Sequence, residues 1–588
     1  MESVSRMWRF FWVPFGVAVL LCGCGGSGST TLPHGAGSPA AGATPGAGST
    51  PVASASPAGT AAVTFNDWPT YGYDNARDGF NPNTTAFTDA SIAALHLAWQ
   101  DALAGEFNTQ SQPIVATEIP GHAALLFTAG GTGNVYALDG LTGAQVWKTQ
   151  LPQSSYFCST GGATFPMGVG GSAAYDPATK SLYIADSSNV VANGPTQDFI
   201  YHLNAVGGAV INNVDVAPSP FPGEINYAHT SITLAAGMLY AGTSSVCDVP
   251  YWRGRVAAVN EATMTLAGTF FTTYNQNGAG TVDGGGVWGW GGVSTDSAGN
   301  VYVGVGNVDT NSPLGTPSPQ FTQAPSEFVG YGEHVVKLTS NVAVVEDSNY
   351  PGFSFGGNSA DLDLAGTPVL HQPGVGCNLH SASMGKSGQL VIYDTTHMAA
   401  GPIADLQLSQ SNFNGAYISN AGFSPITGWL YAPVASATGT LDPPGLVAIS
   451  GCATPAIVKN AVFGPDSYAY AATPPRSAPT VTAGGVIFTA TPCTPNASGG
   501  CGAASDGDLQ GALWALDATT LTVLNGGLPL LITGDNIRMA PVVDGNWLWV
   551  IDNSGNVYGL TTNPSVPKIA GRRAQRSPLS RYHGNVHT

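Results

Sequence analysis

Residues 125–147 read LLFTAGGTGNVYALDGLTGAQVW. An apolar strand ends in small residues at Ala129–Gly130, a glycine-rich turn follows, and a second strand closes on Leu138–Asp139. Then come a TG turn and a third strand that ends on Trp147. The unit recurs along the chain. SLYIAD pairs with FIYHLN, MLYAG with RVAAVN, NVYVGVGN with HVVKLT, and PVLHQ with QLVIYD. GWLYAPV pairs with GLVAIS, GVIFTA with ALWALD, and WLWVID with NVYGLT. That makes eight units in about 440 residues. The pieces alternate with period two, are rich in Val, Tyr, Leu and Ile, and are bounded by Gly, Asp, Asn and Ser, which are strand and turn signals. No long stretch keeps a helical period. One such unit cannot bury both of its faces alone. Packing the units around an axis does so, and closing the ring removes exposed edges. The expectation is an all-β chain, an eight-bladed β-propeller of antiparallel four-stranded blades. Chain material from both ends should close one blade.

The bulk numbers set limits. Charged residues make up only 9% of the 588, glycine numbers 78, and the apolar share of 43% is enough for a large core. The formal charge of −18 argues against a nucleic-acid partner, because phosphate binding needs a basic footprint. The N-terminus places Arg6 and Arg9 before an apolar run to Leu21, the layout of a secretory signal. The LCGC ending at Cys24 resembles a bacterial lipobox. That resemblance implies residues 1–23 as a lipoprotein signal peptide, lipid on the Cys24 thiol, and a protein held in the cell envelope through its N-terminal lipid. Gly25 follows in place of Asp, so by the same resemblance an inner-membrane retention signal is missing and the outer membrane is expected. Residues 24–63 are Gly, Ser, Ala, Pro and Thr with almost no charge and read as a flexible tether. The propeller should occupy 64–567 and a basic tail 568–588. With Cys24 lipidated, six cysteines remain beyond the signal, and six allow fifteen pairings. Only Cys493 with Cys501 is expected from sequence, since CTPNASGGC is short and can close on itself.

The stretch DWPTYGYDNARDGFNPN (67–83), LHLAW ending at Trp99, and the TG…W ending at Trp147 resemble the quinoprotein-type eight-bladed propellers. That family includes pyrroloquinoline-quinone alcohol dehydrogenases, polyvinyl-alcohol dehydrogenase-like proteins and non-catalytic outer-membrane assembly propellers. The resemblance covers roughly 65–565 and implies a tryptophan docked between blades. It also implies a set of site residues. In GGGVWGW, Trp288 falls where the enzymes lay a tryptophan under the quinone. GVGN ends in Asn307, the place of a calcium-binding amide, and an amide oxygen suits that hard cation. RGRVAAVN matches the strand after the family's calcium glutamate, with Arg253 on its RG, and MGKSGQLVIYD puts Lys386 toward the quinone carbonyls. A cation there favours negative charge developing on oxygen.

The departures from the pattern bear on function. Near the glutamate position stand Ser244 and Ser245, with Asp248 as the nearby substitute ligand. The acidic run that carries the catalytic aspartate reads GGNSADLDLAGTP, placing Asn358 at the base and keeping Asp361 and Asp363 as its later acids. An amide has no basic lone pair to take an alcohol proton. The family's adjacent cysteine pair is absent, as is any CxxCH haem motif. Each of these residues also has a plain structural use: tryptophans pack blades, and Asn or Asp after a strand holds a turn. The leading expectation is therefore an envelope-anchored, non-catalytic propeller that scaffolds protein or ligand partners. The alternative is a calcium- and pyrroloquinoline-quinone-dependent dehydrogenase of alcohols or polyvinyl-alcohol-like polymers. A third reading is a glycan-binding surface module, suggested by Tyr251–Trp252 and Trp288–Gly289–Trp290.

Overall fold

The computed structural model describes residues 64–570 except 108, 158–163, 190–193, 219–223, 229, 246–251, 274–283, 307–330, 349–362, 365, 386–387, 409–419, 435–444, 465–476 and 503–509. In blade 1 the strands Ile114–Ala116, Leu125–Ala129, Asn134–Asp139 and Gln145–Gln150 pair in chain order. The first is buried throughout, while the last is mostly exposed and buries only Trp147. First strands of neighbouring blades also touch one another, so they line the axis and the fourth strands form the outer circumference. Blades 2 to 7 repeat this order from Ala174–Asp176, Thr233–Ala235, Ser294–Thr295, Val369–His371, Gly422–Ser424 and Thr480–Thr482. Blade 8 takes Val542–Asp544, Trp547–Ile551 and Asn556–Thr561 from the C-terminal end, and its fourth strand, His96–Ala102, from the N-terminal end. Their register runs from His96 opposite Thr561 to Ala102 opposite Asn556. The ring is an eight-bladed propeller closed by both chain ends, as the repeat predicts. Trp147 docks as expected: its indole N–H donates to Ala205 O of blade 2 at 3.0 Å.

The fifth unit departs from the sequence reading. PVLHQ is the innermost strand there, not the second. The second is His380–Met384, HSASM, which is fully buried yet has no branched aliphatic residue to announce it. A second disulfide, Cys377–Cys452, joins blades 5 and 6 alongside the expected Cys493–Cys501.

Residues 66–81 run around the inside of the ring. Asn66 donates to Asp544 of blade 8, and Trp68 exchanges backbone bonds with Val115 of blade 1. Pro69 O accepts from Tyr175, Asn75 donates to Leu234 O, and Ala76 O accepts from Leu370. Asp78 O then accepts from Phe423, and Phe80–Asn81 adds a parallel strand to blade 7. Asn81 ends the circuit on Val543 O of blade 8.

GNVY occurs three times, at 133–136, 299–302 and 555–558. In the last two copies an aspartate at the start of the turn, Asp296 or Asp552, accepts from the Asn amide and the Tyr hydroxyl. In the first copy that position is Gly130, and Glu106 reaches in from blade 8's connector to accept from Asn134 at 2.7 Å and Tyr136 at 2.8 Å. A Cβ on Gly130 would sit 2.0 Å from Glu106 Oε2, so the turn needs glycine there.

Asp186, in the second strand of blade 2, is fully buried, and among the described residues neither carboxyl oxygen has a hydrogen-bond partner. Burial pushes its pKa well above the ordinary 3.8, against the nearby Ser187 amide and with help from Asp198. A carboxyl whose folded pKa is raised binds its proton more tightly folded than unfolded, so it costs stability increasingly as pH rises above the unfolded value. Asp186→Asn is therefore expected to stabilise the propeller at neutral pH and to flatten the loss of stability between pH 4 and 7. Urea unfolding across that range measures it, and an Asn variant less stable than wild type at pH 7 contradicts it.

Candidate functional site

The antiparallel order puts two kinds of connector on one rim: those between second and third strands, and those leading to the next blade. That rim carries the long ones, such as 305–334 and 348–368, while the opposite rim has turns as short as 236–237 and 545–546. Chemistry on a propeller needs loops long enough to enclose a ligand, so the long-loop rim is where the candidate residues should meet.

Trp288 lies in the connector from Thr265–Phe271 of blade 3 to Ser294–Thr295 of blade 4. Val287 N–H bonds Thr243 O at 3.0 Å, and Gly286 O accepts Gly306 N–H at 2.9 Å. These bonds fix the two residues just before the tryptophan. Trp290, two residues on, turns into the core at 1% exposure. The Trp288 indole rests against two glycines. A Cβ on Gly286 would come within 2.5 Å of the indole ring, and one on Gly306 within 2.5 Å of its Cδ1. Side chains at either place would expel the ring.

Asp363 arrives from the connector before blade 5. Its Oδ1 would lie 2.2 Å from a Cβ on Gly306, so the carboxylate and the indole meet over the same glycine. Asp363 is buried with φ 23°, a conformation L residues rarely adopt. Such strain persists only where surrounding structure enforces it, and it concentrates at functional sites. Part of that enforcement comes from Glu333, fully buried with φ 62°. Its carboxylate accepts Leu364 N–H, and its own N–H donates to Val305 O at 3.0 Å. Trp252 packs on Trp288 edge-to-face, centroids 5.5 Å apart, and Trp288 is left 8% exposed.

Beside this lies a buried ion cluster. Glu224 accepts from Arg253 Nη2 at 2.6 Å and Nε at 2.9 Å, and from Arg255 Nη2. Both guanidinium groups sit over the Phe271 ring, at 4.8 and 5.1 Å. Burial works to raise the Glu224 pKa, yet Arg255 and Arg253 hold it below the ordinary value.

Of the sequence-derived candidates, Trp288 and Asp363 come together. Asn307 directly follows Gly306 but lies outside the described residues, as do Lys386, Asp248, Asp361, Asn358 and Cys24. Among the described residues no group of three or more acids, histidines and cysteines is placed to hold a metal. Ser244 exchanges backbone bonds with Tyr227. Arg253 is clamped by Glu224. Glu333 and Glu224 were not singled out from sequence. The available signal was their rarity: in a chain with 9% charged residues, an acid in a connector between buried strands has to be neutralised or bonded by something specific.

No protein-family model matches the chain, and no curated protein does. Solved structures do. The quinohemoprotein alcohol dehydrogenase ADHIIG from Pseudomonas putida HK5 matches with TM-score 0.57 at 15% identity, over 86% of this chain and 82% of that one. The quinohemoprotein alcohol dehydrogenase from Comamonas testosteroni matches with TM-score 0.56 at 16% identity, over 88% and 85%. BamB from Moraxella catarrhalis matches with TM-score 0.44 at 13% identity, over 79% and 99%. At these identities the likeness is one of fold.

Proposed function

We propose that the long-loop rim carries a quinoprotein-type alcohol oxidoreductase site. Trp288 would be the floor for a planar quinone and Asp363 the base. The observation that carries this is the meeting of the Trp288 indole and the Asp363 carboxylate over Gly306. Two structures sharing the fold at TM-scores above 0.5 are quinohemoprotein alcohol dehydrogenases, which supports the reading by analogy. The acid beside the floor is Asp363, so the amide at Asn358 is no obstacle to removing a proton. The fit to the quinone lies in a flat aromatic, an acid beside it, and Asn307 one residue from Gly306 as a hard oxygen donor for calcium. A bound quinone would supply the two-electron acceptor for the hydrogen that leaves the alcohol carbon with its electron pair. Asp363 takes the hydroxyl proton on its carboxylate, and the indole orients the ring. Trp252 packs against Trp288, which is 8% exposed, so seating a planar ring on the indole would require neighbouring side chains to move.

The test uses the purified chain with pyrroloquinoline quinone, calcium, an artificial electron acceptor, and small alcohols or polyvinyl alcohol. Turnover of about 1 per second or more is expected, at the low end of ordinary enzymes. Asp363→Asn should lower it about 10²- to 10⁴-fold, the usual worth of a general base, and leave quinone affinity in place. Trp288→Ala should abolish quinone binding. Absence of both binding and turnover in the wild type overturns the proposal. The scaffold reading then stands, and the near-complete burial of Trp288 together with Ser244 and Ser245 near the glutamate position favours it. In either reading the LCGC sequence supports an envelope protein held by lipid on Cys24.

A further inference from the structure

We infer that Glu333 is the positioning residue of this site, and the inference rests on the oxidoreductase reading. Three segments must keep register for the site to exist: the one carrying Trp288, the one ending in Gly306, and the one carrying Asp363. Glu333 bonds two of them directly. Its backbone N–H lies on Val305 O at 3.0 Å and Gly306 O at 3.3 Å, and its side chain accepts Leu364 N–H, next to Asp363. Through Gly306 N–H to Gly286 O at 2.9 Å it also reaches the turn that holds Trp288. Glu333 is fully buried, which removes water as a substitute acceptor for Leu364 N–H. Its φ of 62° is a conformation L residues rarely adopt, and its carboxylate meets Leu364 just before the strand that begins at Val335 continues the chain. Glu333 therefore sets where the Asp363 carboxylate stands relative to the indole without itself reaching substrate. This predicts a requirement for an acceptor oxygen at a fixed reach, not for a charge.

The experiment compares Glu333→Gln, Glu333→Ala and Glu333→Asp in the full chain. The readouts are fluorine NMR of 5-fluorotryptophan, with the Trp288 signal assigned by Trp288→Phe, and steady-state kinetics with quinone and calcium. Gln keeps an oxygen at the same reach and should leave both the Trp288 signal and kcat near wild type. Ala should shift the signal and lower kcat about 10²-fold with KM little changed, the scale of a misplacement of about 1 Å. Asp keeps the charge but withdraws the oxygen by one methylene. It should shift the signal in the same direction, and it serves as the probe if the Ala variant does not fold. An unmoved Trp288 signal in both Ala and Asp overturns the inference, and so does a Gln variant as impaired as Ala. If the wild type neither binds quinone nor turns over while the Trp288 signal still follows the acceptor, the function falls and the positioning role survives.

Discussion

Glu224→Ala is expected to destabilise the propeller by about 3–5 kcal/mol, the usual loss when one member of a buried ion pair is removed. Glu224 is 5% exposed, and Arg253 and Arg255 are 3% and 0%. Without the carboxylate, two guanidinium groups face each other over Phe271 in a space that admits little water. Among the described residues Arg255 Nε and Nη1 have no other hydrogen-bond partner, so the loss is not absorbed locally. Asp198 and Asp215 lie close enough to feel Arg255 but replace only part of the charge. The pH dependence has a definite sign. The folded Glu224 pKa is below the ordinary 4.5, so its contribution is complete above that value and disappears as pH falls through the folded pKa. Urea unfolding of Glu224→Ala at pH 7 should show a lower midpoint at unchanged slope, and the gap to wild type should narrow below pH 4. A gap that stays constant down to pH 3 means the ion pair is not its source.

The second large effect is expected at Cys377–Cys452. The bridge spans 75 residues, against 8 for Cys493–Cys501. If a disulfide acts by restricting the unfolded chain, the longer loop is worth about 4.5 kcal/mol and the shorter about 2.5. It also ties the innermost strand's exit loop in blade 5 to the outer turn of blade 6, where ring contacts alone resist radial opening. Replacing both Cys377 and Cys452 by alanine should lower the melting midpoint more than replacing Cys493 and Cys501. Reductant should then have a smaller effect on the first variant than on wild type. Equal losses from the two pairs would show that loop length is not what matters.

What the sequence reveals follows from where the interactions are local. The unit at 125–147 is legible because its turn residues, its alternation and its Trp147 all act within one blade or on the next. The His380–Met384 strand is not, because small polar residues can be buried in a propeller centre without an apolar signature. Trp288 and Asp363 are legible only by resemblance, through motifs 75 residues apart that the ring brings to one glycine. Glu224 and Glu333 escape notice because their partners are set by blade packing: Arg253 lies 29 residues from Glu224, and Leu364 lies 31 from Glu333. The Cys377–Cys452 pairing is one of many that six cysteines permit, and only the ring chooses it.

The circuit of residues 66–81 has a consequence for how the molecule is made. This segment leaves the ribosome before any blade, yet its partners extend to Val543, and strand His96–Ala102 waits for Asn556–Thr561. The circuit can settle on blade 1 early through Trp68 and Val115, but neither it nor the strand can complete its native contacts until nearly the whole chain exists. Contacts so distant in sequence make folding slow, because a loop of more than 400 residues has to be closed before the last pairing returns any stability. Until that moment the strand at 96–102 is unpaired and the circuit incomplete, which is the interval in which a propeller of this kind is open to aggregation and most dependent on chaperones.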